Sequence, residues 1–227
     1  AGSGGCIFCS ASGSGVFSEN ADLSIDEQIE LAKKRISDKC RCKRYIAYFQ
    51  SHTNTYGDIQ TLREKFLTAA KRDDIAAVSI ASRPDCFGPE VIDTIRDVNA
   101  VKPVWIELGL QTSNERTARL INRCYDTCIY DETMAKLREL GVHIIVHMII
   151  GLPGESKEDM LETVRYIVRS GADGIKLQLL HVLRGTVLER MYESGGLHAL
   201  SFDEYADILC DCLKEIPPGM VVHRFTG

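Results

Sequence analysis

Short β-prone runs alternate with longer amphipathic segments along the whole chain, and this alternation constrains the fold more than any other feature. Strand patterns occupy 45–49, 76–81, 104–110, 144–150 and 175–180, with a weaker sixth at 221–222. Between them lie segments of helical periodicity. The first, 25–36, is capped by Ser24 or Asp26, and the next follows Asp58 through Leu62, Phe66 and Ala69. A third is opened by Pro89, where a first turn accepts proline, and others cover 115–121 and 131–140, the latter closed by Gly141. The last two begin near Ser156, ending at Gly171, and run over 202–213. Strands separated by helices of ten or more residues mean repeated βαβ units and a parallel sheet. The runs at 144–150 and 175–180 are almost wholly apolar, as befits strands covered on both faces. The expected class is α/β, and periodicity alone leaves both a barrel and an open doubly wound sheet possible.

With 227 residues, 44% of them apolar, the chain can bury one sizeable core, and no linker divides it, so a single domain over 1–227 is expected. Net charge is -5, and the basic groups Lys33-Lys34-Arg35 and 41–44 are short enough to read as solvated faces. Small-molecule or protein partners are favoured, while an RNA substrate reached through another segment stays open. The longest apolar run, 142–152, is broken by His143 and His147, and there is no signal peptide. The expected location is the cytoplasm, with no membrane partner. Nine cysteines without a secretory signal point to metal binding or burial rather than a disulfide framework. The chain opens on Ala1 and a Gly-rich run, and Gly227 follows directly on a strand-like stretch, which reads as an excised segment truncated at both ends.

Gly5-Cys6-Ile7-Phe8-Cys9 sets two thiols at C-x2-C spacing in a Gly-rich loop. Two intervening residues let both sulfurs reach one metal or cluster from a single turn. Spacing alone also admits half a zinc site or a redox pair. The redox reading is disfavoured because 10–15 continues as a Ser/Gly loop, and Cys40-x-Cys42 and Cys124-x3-Cys128 are poor partners for a zinc ribbon. The run GGCIFCSASGSGVF resembles the cluster loop of radical S-adenosylmethionine (SAM) enzymes, and within them the YhcC-like group related to the elongator catalytic subunit. That resemblance implies a 4Fe-4S cluster held by three cysteines, of which Cys6 and Cys9 are two and the third lies upstream. It also implies that Phe8 lies beside the adenine of SAM.

Two further stretches carry the same resemblance. Glu107-Leu-Gly-Leu-Gln111-Thr-Ser, followed by Leu120-Ile-Asn-Arg123, is similar to the fourth-strand segment of oxygen-independent coproporphyrinogen oxidases. There a Gln at the strand end and an Arg twelve residues later contact the ribose and carboxylate of SAM, roles that fall on Gln111 and Arg123. Their chemistry suits this, an amide donating and accepting at hydroxyls and a guanidinium forking onto a carboxylate. Glu107, a carboxylate in an apolar strand, is expected to face the barrel lumen, since burying it unpaired is costly. Met148-Ile-Ile-Gly-Leu-Pro-Gly-Glu155 resembles the fifth-strand motif, whose turn, with Gly151, packs on adenine. The fold then implied is a partial (β/α)6 TIM-like radical SAM barrel with its first strand missing.

Departures from the pattern stand beside these matches. A Gly-Gly-Glu-like turn is replaced by Phe49-Gln-Ser-His-Thr-Asn-Thr-Tyr56, leaving Gln50 or Ser51 as acceptors for the SAM amino group. Arg83 replaces a Glu-containing segment and could bind a carboxylate of SAM or substrate. His147 stands where relatives have an Asp on the ribose. The resemblance implies reductive cleavage of SAM to a 5′-deoxyadenosyl radical, with an electron donor such as flavodoxin or ferredoxin and a substrate, tRNA or a small molecule, that the motifs do not name. Two rivals remain: a non-radical TIM-barrel lyase or aldolase, for which Lys176 is the candidate lysine, and a zinc-stabilised binding module without catalysis.

Overall fold

The computed structural model describes residues 5–9, 18–39 and 41–226. The elements run α1 (Ile25–Ile36), β1 (Tyr45–Phe49), α2 (Ile59–Ala70), β2 (Ile75–Ser82), α3 (Pro89–Asn99), β3 (Val104–Gln111), α4 (Glu115–Leu120), α5 (Thr127–Glu139), β4 (His143–Ile150), α6 (Lys157–Arg169), β5 (Gly174–Leu179), α7 (Val187–Glu193), α8 (Phe202–Lys214) and β6 (Val221–Arg224). Local chemistry sets most boundaries. Ser24, Ser156 and Ser201 each close a capping box with the acidic residue three positions on. Asp58 accepts from the Thr61 amide at the start of α2. Beyond α5 and α6 the chain turns through Gly141 and Gly171 at φ 66° and 76°, a conformation glycine adopts without steric cost.

Six strands form one sheet in the order β1-β2-β3-β4-β5-β6, every neighbouring pair parallel. Strands that follow chain order with right-handed crossovers place their crossover helices on one face. On that face Val78, Ile80, Ile106, Leu108, Val146, Met148, Ile175 and Leu177 pack against α2, α3, α5, α6 and α8 as the main core. The opposite parity carries Tyr48, Ser79, Glu107, His147 and Lys176. Tyr48 on β1 and Lys176 on β5 are four strand steps apart, about 19 Å in a flat sheet at roughly 4.8 Å per step. Lys176 Nζ nevertheless lies 3.4 Å from the Tyr48 hydroxyl. The sheet therefore curls into a half-barrel, and that face is its lumen. An open doubly wound sheet is thereby excluded.

All six strand patterns of the sequence become strands, within two residues at each end. α5 begins at Thr127, four residues before the expected start, behind an Asp126 whose side chain makes no cap bond. α7, capped by Thr186 onto the Glu189 amide, lies in the stretch between β5 and α8 where no helix was expected. Cys42 is disulfide-bonded, a departure from the expectation of metal-binding or buried thiols throughout.

Candidate functional site

The C-terminal ends of parallel barrel strands open onto one mouth, where loops can gather side chains from many elements. Here the Cys6–Cys9 loop lies across that mouth. The Ile7 amide donates to the Ile121 carbonyl at 3.1 Å, and the Ile7 carbonyl accepts from Leu188 at the head of α7 at 3.1 Å. Asn122 Nδ2 donates to the Gly5 carbonyl at 2.7 Å. Ile7 and Phe8 pack with Ile121, Ile149, Leu152 and Leu180, apolar residues from the ends of β4 and β5 and from the segment after α4. Phe8 is thus half-buried among aliphatic side chains. The Cys6 and Cys9 thiols hydrogen-bond to each other; that bond together with burial drives Cys6 far above the usual thiol range, while the same bond holds Cys9 at about 7 against the effect of burial. Arg83 and Cys124 stand close enough to act on Cys6 electrostatically. Cys124 is exposed, and its Sγ donates to the Asn122 carbonyl at 3.1 Å. Among the described residues no group of three or more His, Cys, Asp or Glu side chains converges as a metal site. The loop brings two thiols together at the mouth.

The end of β3 is built around a distortion. Gly109 pairs with His147 and Gln111 with Met148, so Leu110 is an extra residue in the strand. Gln111 stands at φ 65°, and the Thr112 amide bonds back to the Leu110 carbonyl at 2.9 Å. A bond from i+2 to i around a residue at positive φ is a γ-turn of the rare, strained hand. The turn folds the Gln111 side chain back over Gly109, its Nε2 standing 2.5 Å from where a β-carbon on Gly109 would sit. A β-carbon there would oblige the Gln111 amide to move. Among the described residues the Gln111 amide makes no hydrogen bond.

Arg123 is 1% exposed and wholly internal. Nε donates to the Tyr125 carbonyl at 3.1 Å, and Nη1 to the carbonyls of Leu110 at 3.2 Å and Thr112 at 2.7 Å. Nη2 donates to Glu115 Oε1 at 3.3 Å and Thr127 Oγ1 at 2.9 Å. A guanidinium has five N–H donors, and each has a partner. The guanidinium expected to meet a carboxylate of SAM is thus bonded on every side to the protein. Tyr125, which the motif reading overlooked, stacks under it at 4.4 Å, and its hydroxyl donates to the Gly109 carbonyl.

Glu107 faces the lumen, as expected, but is enclosed there. Oε1 accepts from Ser79 Oγ at 2.9 Å. Oε2 accepts from the Tyr48 hydroxyl at 2.8 Å, from His147 Nε2 at 2.6 Å and from Lys176 Nζ. Five strands thus meet at one carboxylate. Burial alone would raise its affinity for a proton, but the hydrogen bonds and charges of His147 and Lys176 hold it well below the usual carboxylate range. Burial lowers the affinity of His147 for a proton, against the pull of Glu107. Lys176 is lowered by burial against Glu107's opposing attraction. Lys176 is therefore a buried ion-pair partner, and the lyase reading loses its free lysine at a strand end. His147 and Glu107 meet one another rather than the mouth.

The remaining expected positions ring the mouth. Gln50 and Ser51 follow β1, with Ser51 and His52 both at positive φ, 63° and 60°. Asn54 ties this loop to β2, its amide nitrogens donating to the Ala81 carbonyl at 3.1 and 3.0 Å. Arg83 forks onto Asp85 at 2.9 and 2.8 Å, so one edge of its guanidinium is occupied. Gly151 has φ 92°, and Leu200 Cδ1 lies 3.0 Å from where a β-carbon on it would stand. Glu155, at the end of the same turn, accepts from Thr112 Oγ1 at 2.5 Å, and burial pushes it up to about 7.

Known proteins match this arrangement. Residues 3–167 fit the family model described as the radical SAM superfamily, and 172–227 fit the radical SAM C-terminal domain, although the sheet crosses that boundary through the β4–β5 pairing. YtqA of Bacillus subtilis is 46% identical over 99% of this chain and 70% of its own length, and YhcC of Escherichia coli 34% identical over 100% and 72%. Elp3 from the archaeon Methanocaldococcus infernus superposes with a TM-score of 0.77 at 16% identity, over 88% of this chain and 52% of that one. At that identity the likeness is one of fold, and the chain spans about half of that protein.

Proposed function

The chain belongs to the radical SAM superfamily, in the YhcC-like, elongator-related branch, and we propose that it forms the cofactor-binding core of an enzyme that cleaves SAM reductively. The observation that supports this best is the convergence of the Cys6–Cys9 loop, the Gln111 turn and the turn at Gly151–Glu155 on one mouth of a parallel half-barrel. Three motifs distant in sequence meet where barrel chemistry is sited.

In this reading Cys6 and Cys9 hold two corners of a 4Fe-4S cluster, with a third thiolate outside the pair. When bound, the cluster supplies the electron that cleaves SAM into methionine and a 5′-deoxyadenosyl radical, which abstracts hydrogen from the substrate. The protein's own residues bind, orient and exclude water. Gln111 offers its unpaired amide to the ribose, Phe8 an aromatic face to the adenine, and Gln50 and Ser51 acceptors to the amino group. Arg83 keeps one guanidinium edge for a carboxylate. Glu107 and His147 close the lumen beneath, and Gly151 shapes the turn under Leu200. SAM, an electron donor such as flavodoxin or ferredoxin, and a substrate that is a small molecule or a tRNA are the partners. A tRNA is raised by the relatives named as a tRNA uridine(34) acetyltransferase and as elongator complex protein 3, which match about two thirds of this chain. The domain extends over 1–227, and a cytoplasmic location fits an oxygen-sensitive cluster. Among the described residues no helix is long and apolar enough to cross a membrane.

The test is anaerobic reconstitution of the full-length natural protein with iron and sulfide, then reduction with dithionite in the presence of SAM. We expect bound iron and sulfide and formation of 5′-deoxyadenosine, both lost in Cys6→Ala and Cys9→Ala. Normal cluster content in either variant, or no 5′-deoxyadenosine from the wild type, overturns the reading.

A further inference from the structure

We propose that Arg123 is a positioning residue, which holds the strained turn presenting Gln111 and ties that turn to the cysteine loop, rather than a group that itself binds SAM. This rests on the function proposed above. The geometry has three parts. A γ-turn of this hand is unfavourable, and strained backbone of this kind persists only where its surroundings over-determine it. Arg123 and Tyr125 capture the carbonyls of Gly109, Leu110 and Thr112, which are the backbone acceptors flanking Gln111. All five guanidinium donors are committed to the protein, so a ligand carboxylate could be met only by breaking several of these bonds.

The clamp also faces the other half of the site. The two residues before Arg123 anchor the cysteine loop, Ile121 through its carbonyl to the Ile7 amide and Asn122 through its side chain to the Gly5 carbonyl. Arg123 thus sits at the junction between the turn that offers Gln111 and the segment that seats Cys6 and Cys9. Its sequence position is the one that a carboxylate-binding arginine takes in relatives, and here it is served by a different geometry. A Lys keeps the charge but has neither the fork nor the planar stacking on Tyr125, so it cannot replace the Arg in this role.

The experiment separates positioning from contact. Binding of SAM and of decarboxylated SAM, the same sulfonium without its carboxylate, is measured by equilibrium dialysis on the cluster-reconstituted, full-length wild type, on Arg123→Lys and on Glu115→Ala. Glu115→Ala leaves Arg123 in place, removes one of its anchors and lies on a partly exposed helix start. We expect Arg123→Lys to weaken both ligands by the same factor, roughly tenfold, and Glu115→Ala to weaken both by about half that on a logarithmic scale. Hydrogen exchange of the Thr112 and Ile7 amides in the cluster-free chain should quicken in both variants while amides in the middle of β4 stay protected. Loss confined to SAM, with decarboxylated SAM unaffected, overturns the proposal, as does unchanged or tighter SAM binding in Glu115→Ala. A wild type that binds neither cluster nor SAM instead refutes the function on which the proposal rests.

Discussion

Replacing Lys176 with Met removes the ammonium that meets Glu107 in the lumen network while keeping most of its volume. Glu107 then loses one of four partners and keeps Tyr48, Ser79 and His147. Breaking a buried ion pair from one side costs about 3–5 kcal/mol. The three remaining donors place this case at the lower end, about 3 kcal/mol at pH 8. The cost depends on pH through His147. In the wild type burial and Lys176 depress its pKa, so its contribution is present above the unfolded value and lost as pH falls through the folded one. Without Lys176 one of the charges that lower it is gone and the carboxylate 2.6 Å away remains, so the pKa moves up from its wild-type position. The variant's His147 takes its proton at a higher pH than the wild type's, so the penalty of the substitution shrinks as pH falls. Each unit by which the His147 pKa rises above its wild-type value returns about 1.4 kcal/mol at low pH. Urea unfolding followed by circular dichroism at about pH 8 and pH 5.5 reads the difference directly. A penalty below about 1 kcal/mol at pH 8, or one equal at the two pH values, would refute the reasoning. Glu107→Gln added to Lys176→Met should recover part of the loss, since the uncompensated charge is gone.

Two further outcomes follow from the same physics. Burial raises Glu155 to about 7 from 4.5, so its contribution is present below 4.5 and is lost as pH rises through 7. Glu155→Gln, which can still accept from Thr112, should therefore stabilise the protein by up to about 3 kcal/mol at pH 8 and leave it nearly unchanged at pH 4.5. Equal effects at both pH values in urea unfolding contradict this. Gly109→Ala should displace Gln111, whose Nε2 occupies the position of the new methyl group, and weaken SAM binding by about fivefold or more. Equilibrium dialysis on the reconstituted full-length variant checks it, and an unchanged affinity counts against Gln111 as a SAM contact.

The fold was legible because its signals are local. Apolar strand runs, serine caps and glycine stops each occupy a few residues, and all six strands lie where that pattern places them. α7 was missed because it is a single short amphipathic segment, marked only by the Thr186 cap. The cysteine loop and the turn at Gly151–Glu155 were readable as motifs, and they do meet at the mouth. What the sequence could not display is how polar groups are shared across the curl. Arg123 and Gln111 read as a pair of ligand contacts, and nothing in their spacing shows that the Arg123 guanidinium bonds the carbonyls on either side of Gln111. Glu107 and His147, 40 residues apart, share one hydrogen bond because β3 and β4 are neighbours in register. Tyr125 had no marker at all, since its role comes from a hydroxyl reaching the Gly109 carbonyl and a ring lying under Arg123.

The most direct measurement is low-temperature electron paramagnetic resonance of the anaerobically reconstituted, dithionite-reduced full-length protein, recorded before and after adding SAM. A reduced 4Fe-4S signal whose g values shift when SAM is added is the predicted result, because SAM then binds at the iron that Cys6, Cys9 and the third thiolate leave open. Absence of any cluster signal, or a cluster signal indifferent to SAM, would contradict it.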